Sequence, residues 1–139
     1  RQGLDDCVNF VSGVPDERIV ELYSEAELAC VPSLYEGFSL PAIEAMSCGV
    51  PLVCTTGGAL PEVTGTHGET CFQTEPGNSD ALAATIRQAL DNPELRDMVG
   101  AAGRERVKSQ WSWRHTAIKT VDQYRAVLDE HAARVNGAG

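Results

Sequence analysis

Short apolar runs alternate with longer amphipathic stretches along most of this chain, the pattern of an α/β domain built on a parallel sheet. Val8–Val11 reads as a short strand closed by Ser12-Gly13. Pro15–Glu27 reads as a helix, with Ile19, Leu22, Tyr23 and Ala26 on one stripe. Leu28–Val31 is a second strand, stopped by Pro32-Ser33. After a loop, Leu40–Ser47 has helical character and Gly49 is its stop. Val50–Thr55 is apolar in the manner of a strand buried on both faces, and the Gly57-Gly58 turn follows it. Glu69–Gln73 is a weaker strand before Pro76-Gly77. The pattern therefore predicts about four strands with flanking helices.

Three further helices complete the chain. The first runs from about Ser79 to Leu90, capped by Asn78 or Ser79, with Leu82, Ile86 and Leu90 inward. The second opens at Pro93, a residue suited to a first helical turn, and turns Leu95, Met98, Val99, Ala102 and Val107 inward. The third is capped by Ser112 and carries Trp113, Ala117, Val121, Tyr124 and Leu128 at helical spacing. That stripe is long for a helix ending a small domain, and packing on its own domain accounts for part of it.

Composition narrows the classes. The 139 residues suit one domain, and 42% hydrophobic with 22% charged residues suits a globular one. A net charge of −9 argues against a nucleic-acid partner, which Lys and Arg would have to hold. No apolar run has the length of a membrane span, and Arg1–Cys7 lacks the apolar core of a secretory signal. Five cysteines, an odd count with no CxxC pair, point to free thiols in a reducing compartment, with Cys30 and Cys54 as small hydrophobes. His67, His115 and His131 have no ligand spacing, so no metal site is expected.

The candidate chemistry lies in residues 32–44. There a strand ends at Pro32-Ser33, a loop runs through Glu36-Gly37-Phe38, and a helix begins at Ser39. Gly37 permits positive φ and close approach of a ligand; Ser39 can cap the helix, and Pro41 sits where a missing N–H costs nothing. The free N–H groups of the first turn and the helix dipole would hold a phosphate at the carboxyl edge of the sheet. Glu36 lies just before this turn and Glu44 leans back over it; both suit the hydroxyls of sugar rings better than phosphate. A diphosphate with a sugar at each end, a nucleotide-sugar, fits. Spacing alone fits a solvated helix face better, and the chain has no GxGxxG, GxxxxGK[ST] or GxSxG motif.

The stretch from Pro32 to Val53, containing Glu36-Gly-Phe-Ser-Leu-Pro-Ala-Ile-Glu44, resembles the E-x7-E region of retaining glycosyltransferases of the GT4 type, whose GT-B fold has two Rossmann-like domains. Further matches are Gly57-Gly-Ala-Leu-Pro-Glu62-Val, Gly68-Glu-Thr70, Asp91-Asn-Pro-Glu-Leu95 and Trp111-Ser-Trp113, in that order over nearly the whole chain. The resemblance implies part of a Rossmann-like parallel-sheet domain, the C-terminal half of a GT-B fold. It implies that Glu36 contacts the hydroxyls of the donor sugar and is the catalytic carboxylate, and that Glu44 holds the ribose. Backbone N–H groups from Gly37 and Phe38 to Leu40 meet sugar and diphosphate, and the Val14 backbone meets the base. Ser39 stands where glycine is usual; it is expected to be tolerated and to narrow the sugar pocket. The reaction implied is glycosyl transfer with retention, without a metal cofactor and with no established protein nucleophile.

The same resemblance implies absent parts: an N-terminal acceptor domain and an Arg/Lys pair that grips the diphosphate. The chain is thus expected to be a fragment, inactive alone, of a cytoplasmic enzyme peripheral to the inner face of the membrane. Residues 1–110 would be the truncated donor-binding domain, 111–135 a crossover helix and 136–139 a tail. With the middle of the sheet missing, the Leu28–Val31 edge would be open. Either Val8–Val11 pairs with it or a second copy does, giving a homodimer through this edge or the C-terminal helix; an isolated Val8–Val11 beside a bare edge counts against both. Two other functions compete. A glycoside hydrolase would use paired carboxylates but has no need of a phosphate-binding helix start, and a nucleotide-binding or self-associating module would not be catalytic.

Overall fold

The apolar runs on either side of the 32–44 segment become adjacent parallel strands. The fold comes from a computed structural model, which describes residues 3–4 and 6–136. The elements in chain order are α1 (Asp16–Glu25), β1 (Ala29–Val31), α2 (Leu40–Ser47), β2 (Leu52–Thr55), α3 (Leu60–Thr64), β3 (Phe72–Thr74), α4 (Ser79–Asp91), α5 (Pro93–Gln110) and α6 (Trp113–Asn136). The sheet has the order β1-β2-β3, with Ala29 opposite Leu52 and Val53 opposite Phe72. Parallel pairing requires a crossover between successive strands, supplied by α2 and then by α3.

Alternation along β2 divides the core in two. Leu52 and Cys54 face a cluster with Ala42, Ala45 and Met46 of α2, Leu60 of α3 and Val107 of α5. Val53 faces the opposite cluster, with Phe72, Ala89 of α4 and Val99 of α5. Helices thus cover both faces, which is why β2 is apolar at every position but its last. Each fully buried Leu, Val or Phe contributes about 1.5–3 kcal/mol, so β2 and the helices beside it are the stable part of the chain. The architecture is an α/β Rossmann-like unit, the α/β parallel-sheet class that the sequence pattern indicates and the Rossmann-like form that the resemblance implies.

Most boundaries fall within two or three residues of the sequence reading. Gly49 adopts φ 79° just past α2, and the Asn78 side chain accepts from the Ala81 N–H at 2.9 Å to start α4. Ser112 Oγ accepts from the His115 N–H at 3.2 Å at the start of α6. Met98, expected inward, is 60% exposed. Leu90 is exposed as well, with Ala89 taking the buried position in its place.

Val8–Val11 departs from expectation: it forms no strand, and Phe10 is 97% exposed. A strand is stable only when its backbone groups find partners, and this stretch has none in the sheet. Val11 instead lines an apolar groove with Leu22 and Tyr23 of α1 and Cys30 of β1. In this single chain the stretch is unpaired and β1 is an edge strand, which counts against the pairing of Val8–Val11 with it. The sheet accordingly has three strands. On α6, Trp113, Val121, Tyr124 and Leu128 are all exposed, so packing on the rest of the chain accounts for little of its stripe. Residues 137–139 of the expected tail lie outside the described residues. Among the described residues, no helix is long and apolar enough to cross a membrane.

Candidate functional site

The loop between β1 and α2 is held from three sides. The Thr55 hydroxyl at the end of β2 donates to the Ser33 carbonyl, and the Ser33 hydroxyl donates to Glu36 Oε1 at 2.7 Å. Farther along, Glu36 forms a parallel bridge with Gly58, and its carbonyl accepts from the Ala59 N–H at 2.8 Å. Gly58 has φ 65°, and a Cβ there would overlap the Glu36 carbonyl oxygen, so only glycine fits. The Phe38 ring meets the Trp111 ring edge-on, with centroids 5.2 Å apart. Trp111 is itself fixed by its indole N–H, which donates to the Val63 carbonyl at 3.2 Å.

Ser39 begins α2, but not as a capping residue. Its φ of 70° and ψ of 82° lie in the left-handed region, and its side chain makes no capping bond. An N-cap usually has an extended backbone that aims its hydroxyl at the N2 or N3 amide; here N2 is Pro41, which has none. The expectation that Ser39 caps the helix is therefore overturned. Positive φ also falls on Ser39 and not on Gly37. Ser39 is 5% exposed, and its Oγ is the buried side-chain polar atom without a hydrogen-bond partner among the described residues. Left-handed backbone costs a residue with a Cβ about 1–2 kcal/mol, and an unpaired buried hydroxyl about 1–3 kcal/mol.

Glu36, before this helix start, is half-buried, and Glu44, within α2, is exposed. The Tyr23 phenol of α1 donates to the Pro41 carbonyl at 3.4 Å. Burial raises the phenol above its ordinary range, and the neighbouring Glu44 carboxylate adds to the effect. Tyr23 thus touches the first turn and lies near Glu44, which agrees with Glu44 leaning back along the helix. The N–H groups of Leu40 and Ala42 belong to the first turn and have no intrahelical carbonyl. The arrangement offers neutral donors for an anion, flanked by two carboxylate acceptors for hydroxyls.

The model for glycosyl transferases group 1 matches residues 1–106. The chain belongs to that family. It is 44% identical over 131 residues to the MMP alpha-(1->4)-mannosyltransferase of Mycolicibacterium hassiacum, covering 94% of this chain and 32% of that protein. The sucrose-phosphate synthase of Thermosynechococcus elongatus superposes with a TM-score of 0.82 at 36% identity, over 91% of this chain and 32% of that one. Anabaena Alr3699/HepE, solved in complex with UDP and glucose, gives a TM-score of 0.76 at 25% identity, over 92% of this chain and 33% of that one. The chain therefore spans about a third of the length of the relatives it matches. Its Rossmann-like fold matches the C-terminal half of the GT-B glycosyltransferases.

For this glycosyl transferases group 1 chain, the structure brings Glu36, Gly37, Phe38, Ser39, Leu40 and Glu44 onto one loop and helix start. Val14 stands apart, half-buried in the segment before α1, and no hydrogen bond among the described residues joins it to the others. Sequence reading missed three supports. Ser33 aims Glu36, Thr55 anchors Ser33, and Tyr23 sits beside Glu44. A serine three residues before a loop carboxylate was a readable signal for the first; the other two depend on tertiary contacts. Among the described residues no group of three His, Cys, Asp or Glu side chains could hold a metal ion.

Proposed function

We propose that this chain supplies the donor-binding part of a glycosyltransferase that moves a sugar from a nucleotide-sugar to an acceptor hydroxyl with retention. The observation that carries the reading is a helix start with free N–H groups, flanked in the chain by a Glu36 aimed by Ser33 and a Glu44 beside Tyr23. A structural neighbour described as a complex with UDP and glucose supports it. In this reading Glu36 accepts the donor-sugar hydroxyls, Glu44 accepts the ribose hydroxyls, and the Phe38–Leu40 backbone holds the diphosphate. The Val14 backbone borders the base. The bond from the anomeric carbon to the diphosphate oxygen breaks, a bond to the acceptor oxygen forms, and the acceptor hydroxyl's proton passes to the departing diphosphate. The helix start stabilises the departing diphosphate. No metal has a role. The donor unit takes residues 1–110 and α6 is the crossover helix; the acceptor is held by a region beyond this chain, in keeping with its coverage of about a third of its relatives.

Isothermal titration with UDP-, GDP- and ADP-sugars tests this. One of them binds, and Glu44→Ala weakens it tenfold or more, equivalent to about 1.4 kcal/mol. Binding of a plain oligosaccharide with no response to any nucleotide-sugar would favour a hydrolase and sink the reading.

A further inference from the structure

Ser39 carries two unfavourable features at once, a left-handed backbone and a buried hydroxyl without a partner. Glycine at this position would remove both, since it adopts positive φ freely and has no hydroxyl. Both features have the same consequence for α2. A left-handed N-cap withholds its hydroxyl from the helix, and with Pro41 at N2 only the Ala42 amide was available to receive it. The Ala42 N–H and the Ser39 hydroxyl are thereby left free together at the positive end of an eight-residue helix.

We infer that the Ser39 hydroxyl is itself a ligand group, donating a hydrogen bond to a phosphate oxygen of the donor's diphosphate beside the Ala42 amide. The inference rests on the donor-site reading and adds to it a side-chain contact where only backbone contacts were expected. A hydroxyl can donate to phosphate without bringing a charge, which suits a site flanked by Glu36 and Glu44. The hydroxyl is enclosed in the structure, so it meets the phosphate through a small movement of the preceding loop. The loop has room for that: Gly37 is exposed, with no atom within 4 Å of where a Cβ would stand. Phe38 is 40% exposed and meets the Trp111 ring edge-on. The unpaired hydroxyl then becomes a paired one in the complex, and the cost it carries without a partner returns as affinity.

The test titrates the chain, Ser39→Ala and Ser39→Gly with whichever of UDP, GDP and ADP it binds, and with the corresponding nucleoside by competition. Both variants are expected to lose about tenfold in affinity for the nucleoside diphosphate and to keep that for the nucleoside. Ser39→Gly, freed of both unfavourable features, is also expected to melt a few degrees higher than the parent. Stability and affinity moving in opposite directions is the signature of a residue held for a ligand. Parent-like affinity in Ser39→Ala overturns the inference, as does an equal loss for the nucleoside or a Ser39→Gly that melts no higher. If the unsubstituted chain binds no nucleoside diphosphate, the donor-site reading fails first and takes this inference with it.

Discussion

The Ser33 hydroxyl donates to Glu36 Oε1 at 2.7 Å, so the first carboxylate of the E-x7-E segment is aimed by a residue of the loop just past β1. Ser33 is held in turn by Thr55 through its carbonyl. Hydrogen bonds to charged groups contribute about 1.5–3 kcal/mol when buried and less when partly solvated. Ser33→Ala is therefore expected to cost about 1 kcal/mol of donor binding, roughly fivefold in Kd, with little change in the denaturation midpoint. Calorimetry of donor binding beside urea unfolding checks both halves of that statement.

Gly58 gives a sharper test of the loop's geometry. Gly58→Ala meets both a positive φ and the Glu36 carbonyl, and should cost about 3 kcal/mol or more in urea unfolding. Gly68 has φ 77° with open space around it, so Gly68→Ala meets the backbone term alone, about 1 kcal/mol. Equal losses in the two variants would mean that the close approach of Gly58 to Glu36 is wrong.

These two positions also mark what the sequence makes legible. The bounds of α2, Leu40–Ser47, follow from Pro41 and Gly49, whose local chemistry needs no tertiary partner. Val53 and Phe72 declare the core by their apolar surroundings. α3 is only five residues long, too short to show a helical period, and was hidden behind the Gly57-Gly58 turn. Val8–Val11 has strand-like residues, yet pairing is a property of two segments, and its own sequence says nothing about whether a partner is present. The left-handed Ser39 was the least visible, because the neighbouring Gly37 was the natural place to put positive φ. The candidate site was readable as a segment. Its aiming contacts from Ser33, Thr55 and Tyr23 emerge only when β1, β2 and α1 are brought together.

Tyr23 reports on Glu44 through its titration. Burial first, and then the Glu44 carboxylate, with a smaller contribution from Cys48, hold its phenol above the ordinary range. A phenol whose folded pKa is raised favours the folded chain at pH below the unfolded value, roughly 10. That contribution is lost as pH rises through the folded pKa. Stability is therefore expected to fall on the alkaline side. Glu44→Gln should bring the Tyr23 transition down, though still above the ordinary range because burial is the larger cause. Tyrosinate absorbance against pH, with Tyr23→Phe to assign the transition, checks this; an unmoved transition in Glu44→Gln would separate the two side chains.

The central claim is that a nucleotide-sugar sits on the start of α2 between Glu36 and Glu44. Backbone amide NMR of the labelled chain, titrated with UDP-, GDP- and ADP-sugars, tests it most directly. The account predicts saturable shifts, for at least one donor, at the amides of Gly37, Phe38, Ser39, Leu40 and Ala42, with smaller ones at Gly57 and Gly58. Saturable shifts confined to the groove between α1 and the edge of β1, or none with any donor, would contradict it.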